Sequence, residues 1–387
     1  MFLKHYLGLS DALLIERINT DWSMQQFCGI QLRSDEVIRD TNLPSWWRSY
    51  LGQHLNIEAM QKVFASYWKV EMQETNLSSE DATCYESRLS FPTPVKLVWQ
   101  CCNRVYLSYQ TIRKQLRQRA TRCNYDKHKT AFLTYQKSRR KTKRGEKKLL
   151  KSLLKFLHRL LELHKQLVEE KQLSLSNKQR AQLLTVTTVY EQQHDKVYGK
   201  VEKIKDRIVS LNKPYIRPIV RGKETKAVEF GCKVNKLQVN GLSFIEHLSF
   251  DAFNEGTRLK STVALHRELF GRCTHHSADK IYATNENRRY CRQQGITTNF
   301  VPKGRQKHGH VEQSKVMRSL LDRERGTRLE GSFGNEKNHY LLDKVNARNA
   351  VTEKCWIFFG MMTANASIIT GRRQKAKRRE VSLRQAA

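Results

Sequence analysis

The sequence predicts a mixed α/β fold whose sheet is interrupted by a large basic helical block. Three observations carry this. Apolar and polar residues alternate with a period of two from Asp81 and again from about residue 228. Between those stretches, Leu149, Leu150, Leu153, Leu154, Leu157, Leu160, Leu161, Leu167 and Val168 recur at spacings of three, four and seven, the mark of one apolar helix face. Beyond them, Asn240-Gly241 separates two apolar runs and is a strong hairpin signal. A chain of 387 residues, 39% of them hydrophobic, is long enough for two or three structural units with a buried core.

Taken in order, residues 1–80 read as a helical N-terminal region. Ser10 or Asp11 caps a helix through Leu13, Leu14, Ile15 and Ile18, and Pro44 stands near another helix start, with Trp46, Trp47 and Tyr50 on an apolar face. Residues 81–100 open the core with a strand, and Thr93-Pro94 fits an N-cap followed by proline at the first helical position. Residues 101–227 form the basic helical insertion. Residues 228–371 supply the rest of the core: a hairpin, a helix over 258–270, a strand at 277–282, a helix through Tyr290, a strand at 296–302, a helix near 311–322 and a long helix over 345–369. Residues 372–387 form a basic tail, expected to be mobile.

The charge balance is extreme: 71 Lys+Arg against 37 Asp+Glu, a surplus of 34. Such a surplus repels itself unless a polyanion binds it, and nucleic acid is the first candidate. The longest apolar stretch, Trp356 to Met362, falls far short of the ~20 residues that span a bilayer, so no membrane partner is expected and the protein reads as cytoplasmic. Between Lys137 and Lys151 there are nine basic residues and one acid, Glu146. Of these, Lys137, Arg139, Arg140, Lys141, Lys143, Arg144, Lys147 and Lys148 are candidate DNA contacts. The nine cysteines are scattered with no C-x-x-C, which argues against a disulfide framework or a zinc ribbon. Cys273, His275 and His276 read as a polar loop. Phosphate-loop, dinucleotide, hydrolase-elbow and zinc-protease motifs are absent.

A basic protein that cuts DNA needs carboxylates, because two-metal phosphodiester cleavage requires acidic oxygens to hold the ions. Asp81 lies on the first core strand, Asp279 at a strand end and Glu330 near a helix. Composition singles out no three of the 37 acids. Taken alone, Asp81 also reads as a strand-edge cap, Asp279 as a turn residue and Glu330 as the partner of Arg328.

The stretches DATCYESRLSFPTPVKLVW, SFIEHLSFDAFNEGTRL, ADKIYATNENRRYC and TRLEGSFGNEKNHYLLDKVNARN resemble bacterial insertion-sequence transposases of the DDE class, which have an RNase H-like catalytic core. The family motif reads Tyr, two residues, Arg, three residues, Glu, six residues, Lys. Glu330 and Lys337 fit its second half, while Gly326 stands at the arginine position and Arg323 at the tyrosine position. Arg328 is the expected substitute for the missing arginine. The resemblance implies that Asp81, Asp279 and Glu330 hold two Mg²⁺ ions, with Mn²⁺ as a substitute, and that Lys337 positions a DNA phosphate. It implies an endonuclease and strand transferase acting on double-stranded DNA, namely terminal inverted repeats and target DNA, as a homodimer at the bacterial nucleoid. It also implies further helical sequence before the region of Met1, so an N-terminal DNA-recognition module is expected to be shortened. The rival reading is a catalytically impaired remnant that only binds DNA, favoured by the departures at Gly326 and Arg323.

Overall fold

The computed structural model describes residues 1–119, 121–199, 201–220, 227–304 and 311–386. It divides into two units, Met1–Arg88 with Ile219–Ala387, and Leu89–Pro218. Seven strands form one mixed sheet: β1 (Leu77–Ser87), β2 (Pro218–Val220), β3 (Val228–Val239), β4 (Leu242–Ser249), β5 (His275–Ala278), β6 (Thr297–Thr298) and β7 (Lys344–Val345). Their order is β2-β3-β1-β5-β6, with β4 also paired to β3 and β7 to β1. β1 runs antiparallel to β3 and parallel to β5.

The β3–β4 hairpin turns at Asn240 and Gly241, with φ of 48° and 80°. Positive φ at both central residues suits the twist of the flanking strands, and asparagine and glycine tolerate it best. Gly231 is needed for a different reason: a Cβ there would sit 2.2 Å from the Tyr85 carbonyl oxygen. β3 is buried along almost its whole length on both faces, as befits a strand inside the sheet.

β1 starts at Leu77, four residues ahead of the expected start at Asp81. Ser78, Ser79 and Glu80, which fall in the helical N-terminal region expected from the sequence, are strand residues here because β5 satisfies them. Ser79 Oγ lies 2.7 Å from Ser277 Oγ, and Ser78 Oγ lies 2.8 Å from His276 Nδ1. For the same reason Cys273, His275 and His276 are no polar loop: His275 and His276 are strand residues, and Cys273 and His276 are buried. β5 ends at Ala278, and residues 280–282 turn into a 3₁₀ helix instead of continuing the strand. The strand expected at 296–302 is only the two residues of β6.

The helices of the first unit are α1 (Phe2–Leu7), α2 (Asp11–Thr20), α3 (Trp22–Cys28), α4 (Leu43–His54) and α5 (Ile57–Trp68) before β1. The second unit holds α6 (Pro94–Gln115), α7 (Tyr125–Lys137), α8 (Lys143–Glu170) and α9 (Asn177–Tyr198). The first unit resumes with α10 (Leu259–Phe270), α11 (Asn285–Gln293), α12 (Val311–Glu324), α13 (Glu330–His339) and α14 (Ala350–Ala386). Ser10 caps α2 and Thr93 caps α6, each through its side-chain oxygen. In the second unit, Leu153, Leu154, Leu157 and Leu160 of α8 pack with Val98, Cys101 and Val105 of α6 and Val186 and Val189 of α9. α14 runs through residues 372–386, so the basic tail is helical, not a free end. Arg372 donates to the carbonyls of Glu71 and Asn240, and Arg373 pairs with Glu71 at 2.6 Å.

Two buried histidines make the first unit acid-sensitive. Burial pushes His5 down to about 3 and His266 down to about 4, although each ring is hydrogen-bonded to a backbone carbonyl, Tyr340 and Thr75 respectively. Both folded values lie below the unfolded one, so the unfolded chain takes up these protons first. The neutral-histidine stability is complete above about pH 6.5 and is lost as pH falls toward the folded values, by up to about 1.4 kcal/mol per pH unit per histidine. Thermal melts between pH 7 and pH 4.5 should show a falling midpoint; a flat profile would contradict this account.

Candidate active site

Side chains alternate along β1, so Asp81, Thr83 and Tyr85 share one face while Glu80, Ala82 and Cys84 share the other. α13 lies against the first of these faces through polar contacts. Lys337 Nζ donates to Thr83 Oγ1 at 3.2 Å, and the Tyr85 hydroxyl donates to Glu336. Lys236, opposite Asp81 in the β1–β3 register, donates to Glu336 Oε1 at 2.9 Å and to Ser332 Oγ at 2.6 Å. Lys236 and Glu336 are both almost wholly buried, with side-chain exposures of 0% and 1%. The lysine's pKa is lowered by burial, with Glu336 opposing the shift. On the other face, Glu80 is held by Asn235 at 2.7 Å, by His276 at 3.2 Å and by the Thr262 hydroxyl, and it is part of the core.

The β1–β5 register ends at Glu80 opposite Ala278. Asp81 and Asp279 are the next residue on each of two parallel neighbours. Asp279 is exposed, and its Oδ1 accepts the Lys280 N–H at 2.7 Å. Asp81 is half-buried, and its pKa is pushed up to about 6. Burial is the main cause; the Ala82 N–H and Arg325 oppose it, and the negative charges of Glu255 and Asp279 add to it. Glu330 is exposed and opens α13. One guanidinium joins it to Asp81: Arg325 Nη1 lies 3.3 Å from Asp81 Oδ2, and Nη2 lies 2.9 Å from Glu330 Oε1.

Arg325 reaches Glu330 because residues 325–329 form a π-helical turn between α12 and α13. The Glu330 N–H bonds to the Arg325 carbonyl five residues back, not to that of Gly326 four residues back. The wider turn brings the residue at minus five beneath the glutamate. Arg325, the neighbour of Gly326, is thereby the arginine that meets Glu330. Arg328, the expected substitute, instead pairs with Glu324 at 2.8 Å. Single π-turns of this kind concentrate at functional sites.

Three residues that matter here escape a sequence reading. Arg325 is visible only if one extra residue is allowed between arginine and glutamate. Lys236 has a faint signal, a lysine inside a strand otherwise rich in apolar residues. Glu336 has none, since its partners lie 100 and 251 residues away. The sequence-proposed DNA contacts Lys137, Arg139, Arg140, Lys141, Lys143, Arg144, Lys147 and Lys148 are all exposed, at the end of α7, the start of α8 and the connection between them, in the second unit.

Among the described residues, no group of three or more His, Cys, Asp or Glu converges closely enough to hold a metal ion. The donor chemistry nevertheless suits one. Asp81, Asp279 and Glu330 offer only carboxylate oxygens, the ligands of hard divalent ions. Asp81 shares the guanidinium of Arg325 with Glu330.

Residues 277–366 match the family model of the transposase DDE domain. The matched segment includes Asp279, Arg325, Glu330 and Lys337, and Asp81 lies outside it. The match supports a DDE transposase. No curated protein and no solved structure matches the chain. Among the described residues, no helix is long and apolar enough to cross a membrane.

Proposed function

We propose that this protein is an insertion-sequence DDE transposase with an RNase H-like core, which cleaves DNA at its element's ends and joins them to target DNA. The observation that carries the reading is the placement of distant acids. Asp81 and Asp279, 198 residues apart in sequence, each directly follow the last paired residues of the parallel β1–β5 ladder, and Glu330 is tied to Asp81 through one arginine. The sheet supports it too: a central β1, an antiparallel hairpin on one side and parallel strands on the other is the RNase H-like order.

In this reading Asp81, Asp279 and Glu330 hold two divalent ions, Mg²⁺ or Mn²⁺, which activate the attacking oxygen and stabilise the leaving one when bound. The protein's own groups do the rest. Lys337, resting on Thr83, offers an ammonium to a DNA phosphate beside the acids. The buried Lys236–Glu336 pair fixes α13 so that Glu330 and Lys337 keep their spacing against β1. DNA is drawn in by the exposed cations of residues 137–148 and by the basic end of α14. There Arg328, Arg372, Arg373, Lys375 and Lys377 line a groove of about 1070 Å³. Two element ends must be brought together, so the active form is a homodimer on DNA, working at the bacterial nucleoid.

The test is nicking of a supercoiled plasmid carrying the DNA that flanks this gene. The expected result is divalent-ion-dependent nicking at the element boundary, absent with chelator. Binding of the same DNA without nicking in either Mg²⁺ or Mn²⁺ would favour the rival, a remnant that binds DNA but has lost catalysis.

A further inference from the structure

We infer that Arg325 occupies the place of a divalent cation in the metal-free protein, and that metal loading displaces it onto a DNA phosphate. The inference rests on the metal-site reading above. Its basis is the sharing of one guanidinium by two carboxylates from different elements: Asp81 of β1 at 3.3 Å and Glu330 of α13 at 2.9 Å. A cation held between these two acids would compete with the guanidinium for the same pair of carboxylates.

Charge gives the direction of the exchange. Asp81, Asp279 and Glu330 carry three negative charges; Arg325 pairs with two of them, Lys236 also acts on Asp81 but is committed to Glu336, and nearby Glu255 is already paired with Lys233 at 2.7 Å. A divalent ion compensates the acids better than one guanidinium does, and it also repels that guanidinium. Arg325 then leaves with its full set of planar donors, a fork suited to phosphate. The backbone permits the movement. Arg325 begins the π-turn, and the next residue is Gly326, around which a Cβ would meet nothing within 4 Å. Asp81 and Glu330 are thus kept together without metal, and DNA grip is coupled to metal loading. By linkage, DNA must tighten metal binding as much as metal tightens DNA binding.

The experiment uses the full-length protein and two probes: Mn²⁺ alone, titrated by electron paramagnetic resonance, and a 30-base-pair duplex, titrated by fluorescence anisotropy with and without Ca²⁺. Arg325→Gln removes both ion-pair contacts to the acids and should tighten Mn²⁺ binding by about tenfold. It should also abolish the Ca²⁺-linked gain in duplex affinity. Arg325→Lys, which keeps the charge but cannot span both acids, should fall between the two proteins. Lys315→Gln, which removes one exposed charge from α12, should change neither readout. Asp81→Asn should weaken Mn²⁺ binding and so shows that the site exists. If wild type binds Mn²⁺ through Asp81 but Arg325→Gln binds it no more tightly, the displacement is wrong while the metal site stands. If no variant nor wild type binds Mn²⁺, the metal-site reading falls and the role of Arg325 falls with it.

Discussion

Replacing Glu336 with leucine is expected to destabilise the first unit by about 3–5 kcal/mol, the usual cost of leaving one partner of a buried ion pair uncompensated. Lys236 is fully buried, and its ammonium meets Glu336 at 2.9 Å, Ser332 at 2.6 Å and the face of the Phe333 ring at 4.1 Å. Without the carboxylate it must either stay charged in an apolar setting or give up its proton. The Tyr85 hydroxyl loses its acceptor in the same step. The double variant Lys236→Met with Glu336→Leu removes both charges and should recover most of the loss, because apolar pairs of similar volume often replace buried ion pairs at no cost. Urea unfolding followed by tryptophan fluorescence measures both. A single variant as stable as wild type would mean that the pair does not hold α13 on the sheet.

Asp81→Asn is expected to reduce nicking by about 10³-fold or more, since the metal's contribution to stabilising the transition state amounts to several kcal/mol. The same change should leave stability unaltered or raised. Asparagine keeps an oxygen for the Ala82 N–H, now 2.8 Å from Asp81 Oδ1. It removes a carboxylate that burial already disfavours, as the pKa of about 6 records. Loss of activity with a gain in stability marks a residue kept for chemistry at the expense of folding. A variant that is both inactive and strongly destabilised would instead mark Asp81 as a structural residue bound to Arg325.

Much of the architecture could be read from local signals. Asn240-Gly241 announces the hairpin, Thr93-Pro94 opens α6, and the leucine stripe of α8 is the face it buries. What could not be read depends on partners distant in sequence. The first residues of β1 read as the end of the helical N-terminal region because Ser78, Ser79 and Glu80 are polar and show no alternation, and β5, almost 200 residues away, makes their burial possible. The π-turn is equally hidden, because a hydrogen bond to the residue five back leaves no mark in the pattern of side chains. The proposed acids are legible only through resemblance. Their spacing in sequence carries no periodic signal, and it is the parallel β1–β5 register that puts Asp81 and Asp279 each one residue past its last paired residues.

Iron-directed cleavage of the polypeptide asks most directly whether the three acids belong to one divalent-ion site. Fe²⁺ bound in place of Mg²⁺, with ascorbate and peroxide, generates radicals that cut the backbone near its ligands. The account predicts three cuts, close to residues 81, 279 and 330, each suppressed by excess Mg²⁺ and by Asp81→Asn. Cuts confined to one of these positions, or indifferent to Mg²⁺, would contradict it.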